Sequence, residues 1–489
     1  MKGKAGILFW GIVFGALAVR VYHLDLPFME PYNSVSRQMT SATIARNFYE
    51  HGFLFFYPEI DANGPGPYLE TAEVPIVPYL IALSYWVVGG VKEWAARLVS
   101  VFFSMWFMIT VFCFTKKTHG IVAAVVAFAF LAFSPVSVAF SRSIQPDMFM
   151  LLSIVSGLYF FHRYTEKRKT AYFLISLLSV VAALWTKPYT LYLLPVIFLM
   201  AWEAEGAAIF RKPKYYVYFL TAFLSLAWYG RMYGLSQGMD LNYRTMVYHR
   251  GDSPVHFADL FSPQRLLPVL KIFFLHLLTP VGTLLFFRGF FRGIAERKNR
   301  FLYVWFWGIA VFLALVWPIF IINTYYLMAF LPVCAIFIGI GTRRILEEPR
   351  MRKRAVKLSA FLVCMAVTLG TLFYYGRGLW AVPQERLDLI EAGEKIRQTT
   401  PANSLIVASY GSTHALLYYC HRKGWEFSAS KPLEQSVPRL NGMIQKGAGY
   451  FVTTRDNLRS AAEGFEAYLR ARYRAQDENE RYVIFRLRG

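Results

Sequence analysis

The feature that most constrains this chain is a series of apolar blocks, each about twenty residues long, that short basic segments separate. An α-helix needs a block of this length to cross the hydrocarbon core of a bilayer. Hydrophobic residues make up 56% of the chain, charged residues make up 17%, and the mean hydropathy is +0.37. Soluble proteins are less apolar and more charged. The sequence therefore predicts a polytopic α-helical membrane protein with about eleven transmembrane helices.

The predicted spans run from the N-terminus to about residue 374. The first resembles a signal peptide but lacks a small-residue cleavage site, so we expect it to be retained as a helix. An apolar run over residues 75–90 is short and rich in proline, and we expect it to lie at the membrane interface. The predicted spans cover residues 5–21, 95–114, 120–140, 148–161, 171–185, 191–202, 216–229, 266–287, 301–322, 325–340 and 356–374.

The basic segments indicate how the chain is oriented. They all fall on one side of the predicted membrane, together with Lys2 and Lys4, and the positive-inside rule makes that side cytoplasmic. The net charge of +22 therefore indicates topology and anionic lipid, and no nucleic acid partner is predicted. We expect a multi-pass protein of the plasma (inner) membrane whose outer loop, residues 23–93, and C-terminal domain face outward.

The tail after the last span changes character. Helical periodicity over residues 385–397 alternates with β-rich runs at 404–409, 450–454 and 482–487, which predicts a small α/β domain. The predicted domains are thus a membrane domain, residues 1–375, and an extracytoplasmic domain, residues 376–489. No glycine-rich phosphate loop opens a helix in the tail, so nucleotide binding is not predicted.

Acidic and basic residues gather in the outward loops and are scarce inside the spans. A transporter or flippase would place ionisable residues within spans and show internal repeats. The observed distribution favours an enzyme that works at the boundary between lipid and water.

Several motifs resemble, in order, the GT-C membrane glycosyltransferases, and among them most closely family 39, the protein mannosyltransferases and lipid A aminoarabinose transferases. The tail motifs YYCHRKGWEF and KGAGYFV resemble the outer domain of bacterial and archaeal members. The motifs in the membrane domain are IARNF at Ile44–Phe48, the E-x-P of Glu73–Pro75, AARLVS at Ala95–Ser100, SRSIQPDMFML at Ser141–Leu151 and WTKPYTLYLLP at Trp185–Pro195.

The resemblance implies a GT-C-like fold with juxtamembrane helices in the first outer loop. It implies transfer of a single sugar, with inversion, from a polyprenyl-phosphate carrier to a lipid, glycan or protein acceptor on the outer face. The alternatives are a polyprenyl-linked oligosaccharide polymerase or ligase, which would use a diphosphate-linked donor, and a flippase or transporter of lipid-linked sugars.

Such a transfer needs a carboxylate to take the acceptor proton and cations to hold the departing phosphate. The family carries an acidic pair just ahead of the IAR helix, where this chain has Arg37 and Gln38. The base must therefore come from elsewhere. Asp147 matches the family's second acidic site, and Glu73 lies two residues before Pro75, where the aminoarabinose transferases carry a glutamate. The alternative for Asp147 is a purely structural role at the N-terminus of a helix, and the alternative for the other acids is a solvated loop position. The catalytic candidates are Asp147, Glu73 and Glu30, followed by Asp61 and Glu70.

The candidates for donor binding are residues that could hold the phosphate of the carrier. Arg37 can clamp a phosphate with two hydrogen bonds and Lys187 can act as a point charge, with a snorkelling lysine as the alternative. Gln38, Arg142, His249 and Arg250 complete the set. No cofactor is predicted, but a divalent metal held by His249, His256 and an acid stays open.

Overall fold

The computed structural model describes residues 4–27, 35–70, 73–236, 262–315, 324–348, 354–382, 384–410 and 414–488. Among the described residues, helices and one short strand pair make up the regular structure before residue 404, and a mixed five-stranded sheet follows it. The helices of the membrane domain are α1 (Lys4–Val21), α2 (Val35–His51), α3 (Ile76–Val88), α4 (Glu93–His119), α5 (Ile121–Phe133), α6 (Pro135–Ser141), α7 (Asp147–Lys167), α8 (Thr170–Thr186), α9 (Leu193–Glu205), α10 (Pro213–Leu224), α11 (Ala227–Ser236), α12 (Pro263–Lys271), α13 (Pro280–Gly293), α14 (Arg300–Leu315), α15 (Leu331–Glu347) and α16 (Arg354–Gly376).

Two of the predicted spans are broken helices. The span predicted over residues 120–140 consists of α5 and α6, which meet at 64°. Ser134 between them is extended (φ −62°, ψ 127°) because it precedes Pro135, which disfavours the helical conformation. The span predicted over residues 266–287 bends by 95° before α13, where Thr279 accepts a hydrogen bond from the backbone of Gly282 and starts a new helix. The sequence analysis did not anticipate either break.

By length and composition, three of the described helices could each cross a membrane, or up to five if each bent pair counts as one span. Many large apolar side chains of the membrane-domain helices are exposed, among them Phe102 and Trp106 on α4 and Leu178 on α8. Lipid can cover such side chains, whereas water cannot do so without cost. The count of about eleven spans stays a prediction.

The loop between α1 and α4, which is predicted to face outward and is called the outer loop below, holds two helices, α2 and α3, which pack on each other. Helix α3 buries Val77, Ile81 and Tyr85 and exposes Trp86 and Val87 on its other side. An exposed apolar face of this kind suits a helix at the membrane interface. Between the two helices lies a short antiparallel pair, β1 (Glu59–Ile60) and β2 (Tyr68–Leu69).

The C-terminal domain is a five-stranded sheet with helices, in the strand order β4-β3-β5-β7-β6. Strand β3 runs parallel to β4 and β5, and β7 runs antiparallel to β5 and β6. The three predicted strands are confirmed as β3, β5 and β7, and the predicted helix as α17. The elements are α17 (Gln384–Thr399), β3 (Leu405–Ser409), α18 (Ala415–Cys420), β4 (Gly424–Glu426), α19 (Leu433–Gln445), β5 (Ala448–Thr454), α20 (Arg455–Arg459), α21 (Phe465–Arg472), β6 (Arg474–Glu478) and β7 (Tyr482–Arg486).

The C-terminal domain docks on the outer loop through the edge strand β4. Gly64 donates its N–H to the carbonyl oxygen of Gly424 at 2.8 Å, and Gly424 donates to the carbonyl oxygen of Asp61 at 3.0 Å. Gly64 has a φ of +123° and lies against the ring of Trp425, so a Cβ at this position would collide with the indole. The outer loop thus covers an edge that would otherwise expose unpaired backbone groups.

Candidate functional site

Helix α2 carries the first cation of the site. The interior of α2 is buried along most of its length, including Met39, Ala45 and Phe48, which fixes the helix against the domain. Arg37 lies in the first turn, where its side chain remains partly accessible. The packing of α2 therefore holds a guanidinium at a defined place in the outer loop.

Helix α8 supplies the second cation at its end. It stops at Thr186 because Lys187 precedes Pro188 and adopts an extended backbone (φ −150°, ψ 115°). Only 5% of Lys187 is exposed, so its ammonium is not a snorkelling group in water. A buried ammonium requires a nearby counter-charge.

Glu73 is that counter-charge, and it serves Arg37 as well. The ammonium nitrogen of Lys187 lies 2.7 Å from Oε1 of Glu73, while the guanidinium of Arg37 contacts Oε2. The N–H of Val74 donates to the carbonyl oxygen of Trp185 at 3.1 Å, which ties the Glu73 loop to the end of α8. These three residues form a partly buried cluster with a surplus of one positive charge, which we call the cation cluster.

Two tyrosines, which the sequence analysis missed, complete the surroundings of the cation cluster. Lys187 Nζ lies 5.1 Å from the ring centroid of Tyr325 and 5.7 Å from that of Tyr326. The Tyr325 phenol interacts electrostatically with Lys187, Arg37 and Asp147. The adjacent pair Tyr325-Tyr326 beside a predicted span was a signal for this role, but it reads equally well as an interfacial aromatic belt.

Asp147 is a buried carboxylate at the start of α7. It opens α7, it is fully buried, and neither of its oxygens has a hydrogen-bond partner among the described residues. The helix dipole of α7 favours its charge, as expected for an acid in the first turn. A buried carboxylate with two free oxygens can accept a proton from a substrate hydroxyl, because no protein donor occupies its lone pairs.

Gln38 and Arg142 have positioning contacts. The side-chain oxygen of Gln38 accepts a hydrogen bond of 3.3 Å from the backbone of Ile144, which fixes α2 against the loop preceding Asp147. Arg142 donates to the carbonyl oxygens of Arg20 and His23, each at 2.9 Å, and so holds the end of α1. In this structure these two side chains order the surroundings of Asp147.

The remaining acids and bases lie in other contacts. Asp61 pairs with Arg46, and Glu70 interacts electrostatically with His414 of the C-terminal domain. Glu30, His249, Arg250 and His256 lie outside the described residues. Within the described ranges, no group of three histidine, cysteine, aspartate or glutamate side chains could hold a metal ion.

Ion pairs join the outer loop to the C-terminal domain. Glu50 lies 2.9 Å from His421, and Glu59 contacts Lys423. Burial would raise the pKa of Glu50, but the hydrogen bond and charge of His421 outweigh burial and lower it. His414 Nδ1 lies 2.6 Å from Oε1 of Glu426; burial would lower the pKa of His414, but Glu426 raises it overall.

Comparison with known proteins identifies the class of this arrangement. Residues 71–229 match the family model described as dolichyl-phosphate-mannose-protein mannosyltransferase. No curated protein sequence matches the chain. The sequence match therefore includes Glu73, Asp147 and Lys187 but not Arg37.

Solved structures extend the likeness to the whole chain. ArnT from Cupriavidus metallidurans bound to undecaprenyl phosphate has a TM-score of 0.66 at 12% identity, covering 100% of this chain and 99% of that one. The oligosaccharyltransferase of Archaeoglobus fulgidus tethered with an acceptor peptide has a TM-score of 0.56 at 12% identity, covering 96% of this chain and 72% of that one. This chain has the GT-C fold of membrane glycosyltransferases. Within that fold it resembles both the mannosyltransferase family and ArnT.

Proposed function

We propose that this protein transfers a single sugar from a polyprenyl-phosphate carrier to an acceptor hydroxyl on the outer face of the membrane, with inversion at the anomeric carbon. The observation that carries the proposal is the cation cluster together with Asp147, a buried carboxylate whose oxygens have no hydrogen-bond partner among the described residues. Tyr325 interacts electrostatically with Arg37, Lys187 and Asp147. The whole-length likeness to ArnT, whose structure contains undecaprenyl phosphate, supports a polyprenyl lipid as the partner.

The proposed roles follow from charge. Arg37 and Lys187 hold the donor phosphate, which carries negative charge before and after transfer. The acceptor oxygen attacks the anomeric carbon opposite the phosphate, and its proton passes to Asp147. The bond between the anomeric carbon and the phosphate oxygen breaks, and the phosphate leaves with the electron pair. Cations already in place stabilise that charge without reorganisation.

The test is turnover by the purified full-length protein. It is incubated with a panel of radiolabelled polyprenyl-phosphate sugars and candidate acceptors, and the release of polyprenyl phosphate is followed. We expect turnover without any nucleotide sugar. Turnover with a nucleotide sugar alone would refute the proposal, and turnover only with a diphosphate-linked oligosaccharide would favour the polymerase or ligase alternative.

A matched pair of arginine variants shows whether the cation cluster is the site. Arg37→Ala should weaken donor binding and lower kcat/KM by about 10²-fold or more, because a charge-assisted contact to phosphate is lost in the ground state and in the transition state. Arg231→Ala is the control, since the Arg231 guanidinium stacks on the rings of Phe56, Tyr57 and Trp228 and makes no contact with Glu73. Equal kinetics for both variants would place the phosphate elsewhere.

A further inference from the structure

Glu73 lies where an anion belongs in a phosphate site. Each of its two oxygens contacts a different cation, Oε1 with Lys187 and Oε2 with Arg37. Its side chain is only 11% exposed, so little water shares this contact. The geometry is that of an oxyanion bridged by two cations, which is also how a phosphate would be held.

Charge balance sets what can enter the site. With Glu73 in place, the cation cluster has one surplus positive charge, which a donor phosphodiester with its single negative charge neutralises. The polyprenyl phosphate left after transfer carries about −1.5 to −2. That product overcompensates the cluster as long as the carboxylate of Glu73 remains nearby. The carboxylate therefore competes with the product more strongly than with the donor.

The local backbone allows Glu73 to move aside without unfolding the loop. Val74, the next residue, is held by its hydrogen bond to the carbonyl oxygen of Trp185, and Ile76 donates to the carbonyl oxygen of Val74 at 2.8 Å. Both bonds lie on the C-terminal side of Glu73 and involve backbone atoms only. A rotation about the side-chain torsions of Glu73 is sufficient to withdraw its carboxylate from the two cations.

We propose that Glu73 is an internal stand-in for the carrier phosphate: it neutralises Arg37 and Lys187 in the empty site, yields to the donor, and returns to displace polyprenyl phosphate after transfer. This inference rests on the proposed function, and it assigns Glu73 to carrier exchange, whereas proton abstraction belongs to Asp147. If Glu73 only positioned the two cations, or if it were the base, removing its charge would not tighten the binding of a prenyl phosphate.

The experiment measures binding of a labelled short-chain prenyl phosphate, farnesyl phosphate, to the purified full-length protein, with farnesol as the probe for partition of the lipid tail. Glu73→Gln should lower the Kd for farnesyl phosphate by about tenfold or more, slow its dissociation and leave farnesol unchanged. Turnover of this variant should become limited by product release. An unchanged or weakened affinity for farnesyl phosphate would overturn the proposal.

Glu59→Gln is the matched control, because Glu59 is an outer-loop carboxylate that also lies between two basic side chains, Lys423 and His51. The affinity of Glu59→Gln for farnesyl phosphate should equal that of the wild type. If both Glu59→Gln and Glu73→Gln bind farnesyl phosphate more tightly, the cause is the change in net charge, and the proposal is refuted. Glu73→Asp keeps the charge on a shorter side chain that cannot span both cations. It should bind with intermediate affinity, and weaker binding than the wild type would refute the proposal even if Glu73→Gln does not fold.

Turnover assays on the same preparations separate this inference from the proposed function. A wild type that consumes donor, with no tightening in Glu73→Gln, refutes the stand-in alone. A wild type that consumes no polyprenyl-phosphate sugar, together with tightening in Glu73→Gln, refutes the transfer reaction and retains the exchange of Glu73 for phosphate. Failure of every variant to bind farnesyl phosphate refutes both.

Discussion

The two ends of helix α2 hold ion pairs of the same chemistry that differ in how completely they are satisfied. Near the C-terminal end, Arg46 contacts Asp61 and donates to the carbonyl oxygen of Tyr418 at 2.9 Å, while Asn47 donates to Asp61 at 3.1 Å. Arg37, about 14 Å earlier along the axis, shares Glu73 with Lys187. The first arrangement is balanced, and the second retains surplus charge.

This difference distinguishes an ion pair that stabilises the fold from a cluster that can bind a ligand. Because Arg46 also donates to a carbonyl oxygen of the C-terminal domain and Asp61 also accepts from Asn47, this pair ties the outer loop to the C-terminal domain, and its two charges neutralise each other. The three residues of the cation cluster retain one positive charge that an arriving anion can neutralise. A buried ion pair by itself therefore says little about function, and the count of partners around it says more.

The largest effect should come from the carboxylate beside the cation cluster. Asp147→Asn keeps the shape of the side chain and removes the charge, so kcat should fall by about 10²–10⁴-fold while the affinity for the donor changes little. Steady-state kinetics with the labelled donor measure this. Asp25→Asn, at an exposed outer position, is the control. A near-normal kcat in Asp147→Asn would exclude Asp147 as the base and direct attention to the remaining acids.

The balanced end of α2 should respond in stability. Arg46→Met leaves Asp61 buried without its cation, which should lower the free energy of unfolding by about 3–5 kcal/mol. Thermal unfolding of the purified protein measures the change, and the double variant Arg46→Met with Asp61→Asn should recover part of it. If Arg46→Met instead lowers kcat with no loss of stability, the contrast between the two ends of α2 fails.

The smallest effect concerns pH at the docking surface of the C-terminal domain. Because the pKa of His414 is raised, its charged form stabilises the fold fully below the unfolded pKa of about 6.5, and this contribution is lost as the pH rises through the higher folded value. The Tm of the wild type should therefore fall more steeply above pH of about 6.5 than that of His414→Gln. Parallel profiles would show that the imidazolium pair with Glu426 does not stabilise the fold.

The sequence analysis named the residues of the candidate site but not the contacts between them. Arg37, Glu73, Lys187 and Asp147 were all named as candidates from motif positions. Neither the bridging of two cations by Glu73 nor the isolation of Asp147 was predicted. The strands β4 and β6 were missed because one has three residues and the other, RAQDE, is polar at a sheet edge, so neither shows the alternation of a half-buried strand.

What the sequence determined by itself is local: the apolar blocks, the periodicity of α2, the alternation of strands and helices in the tail, and the prolines that end α8 and break the span after α5. These features depend on neighbours a few residues apart, so the chain encodes them directly. Tertiary structure alone decided that Glu73 meets Arg37, 36 positions away, and Lys187, on another helix. The sequence of an apolar span does not indicate which other span ends will lie next to it. Those neighbours are determined by the packing of the helices against one another and against the outer loop.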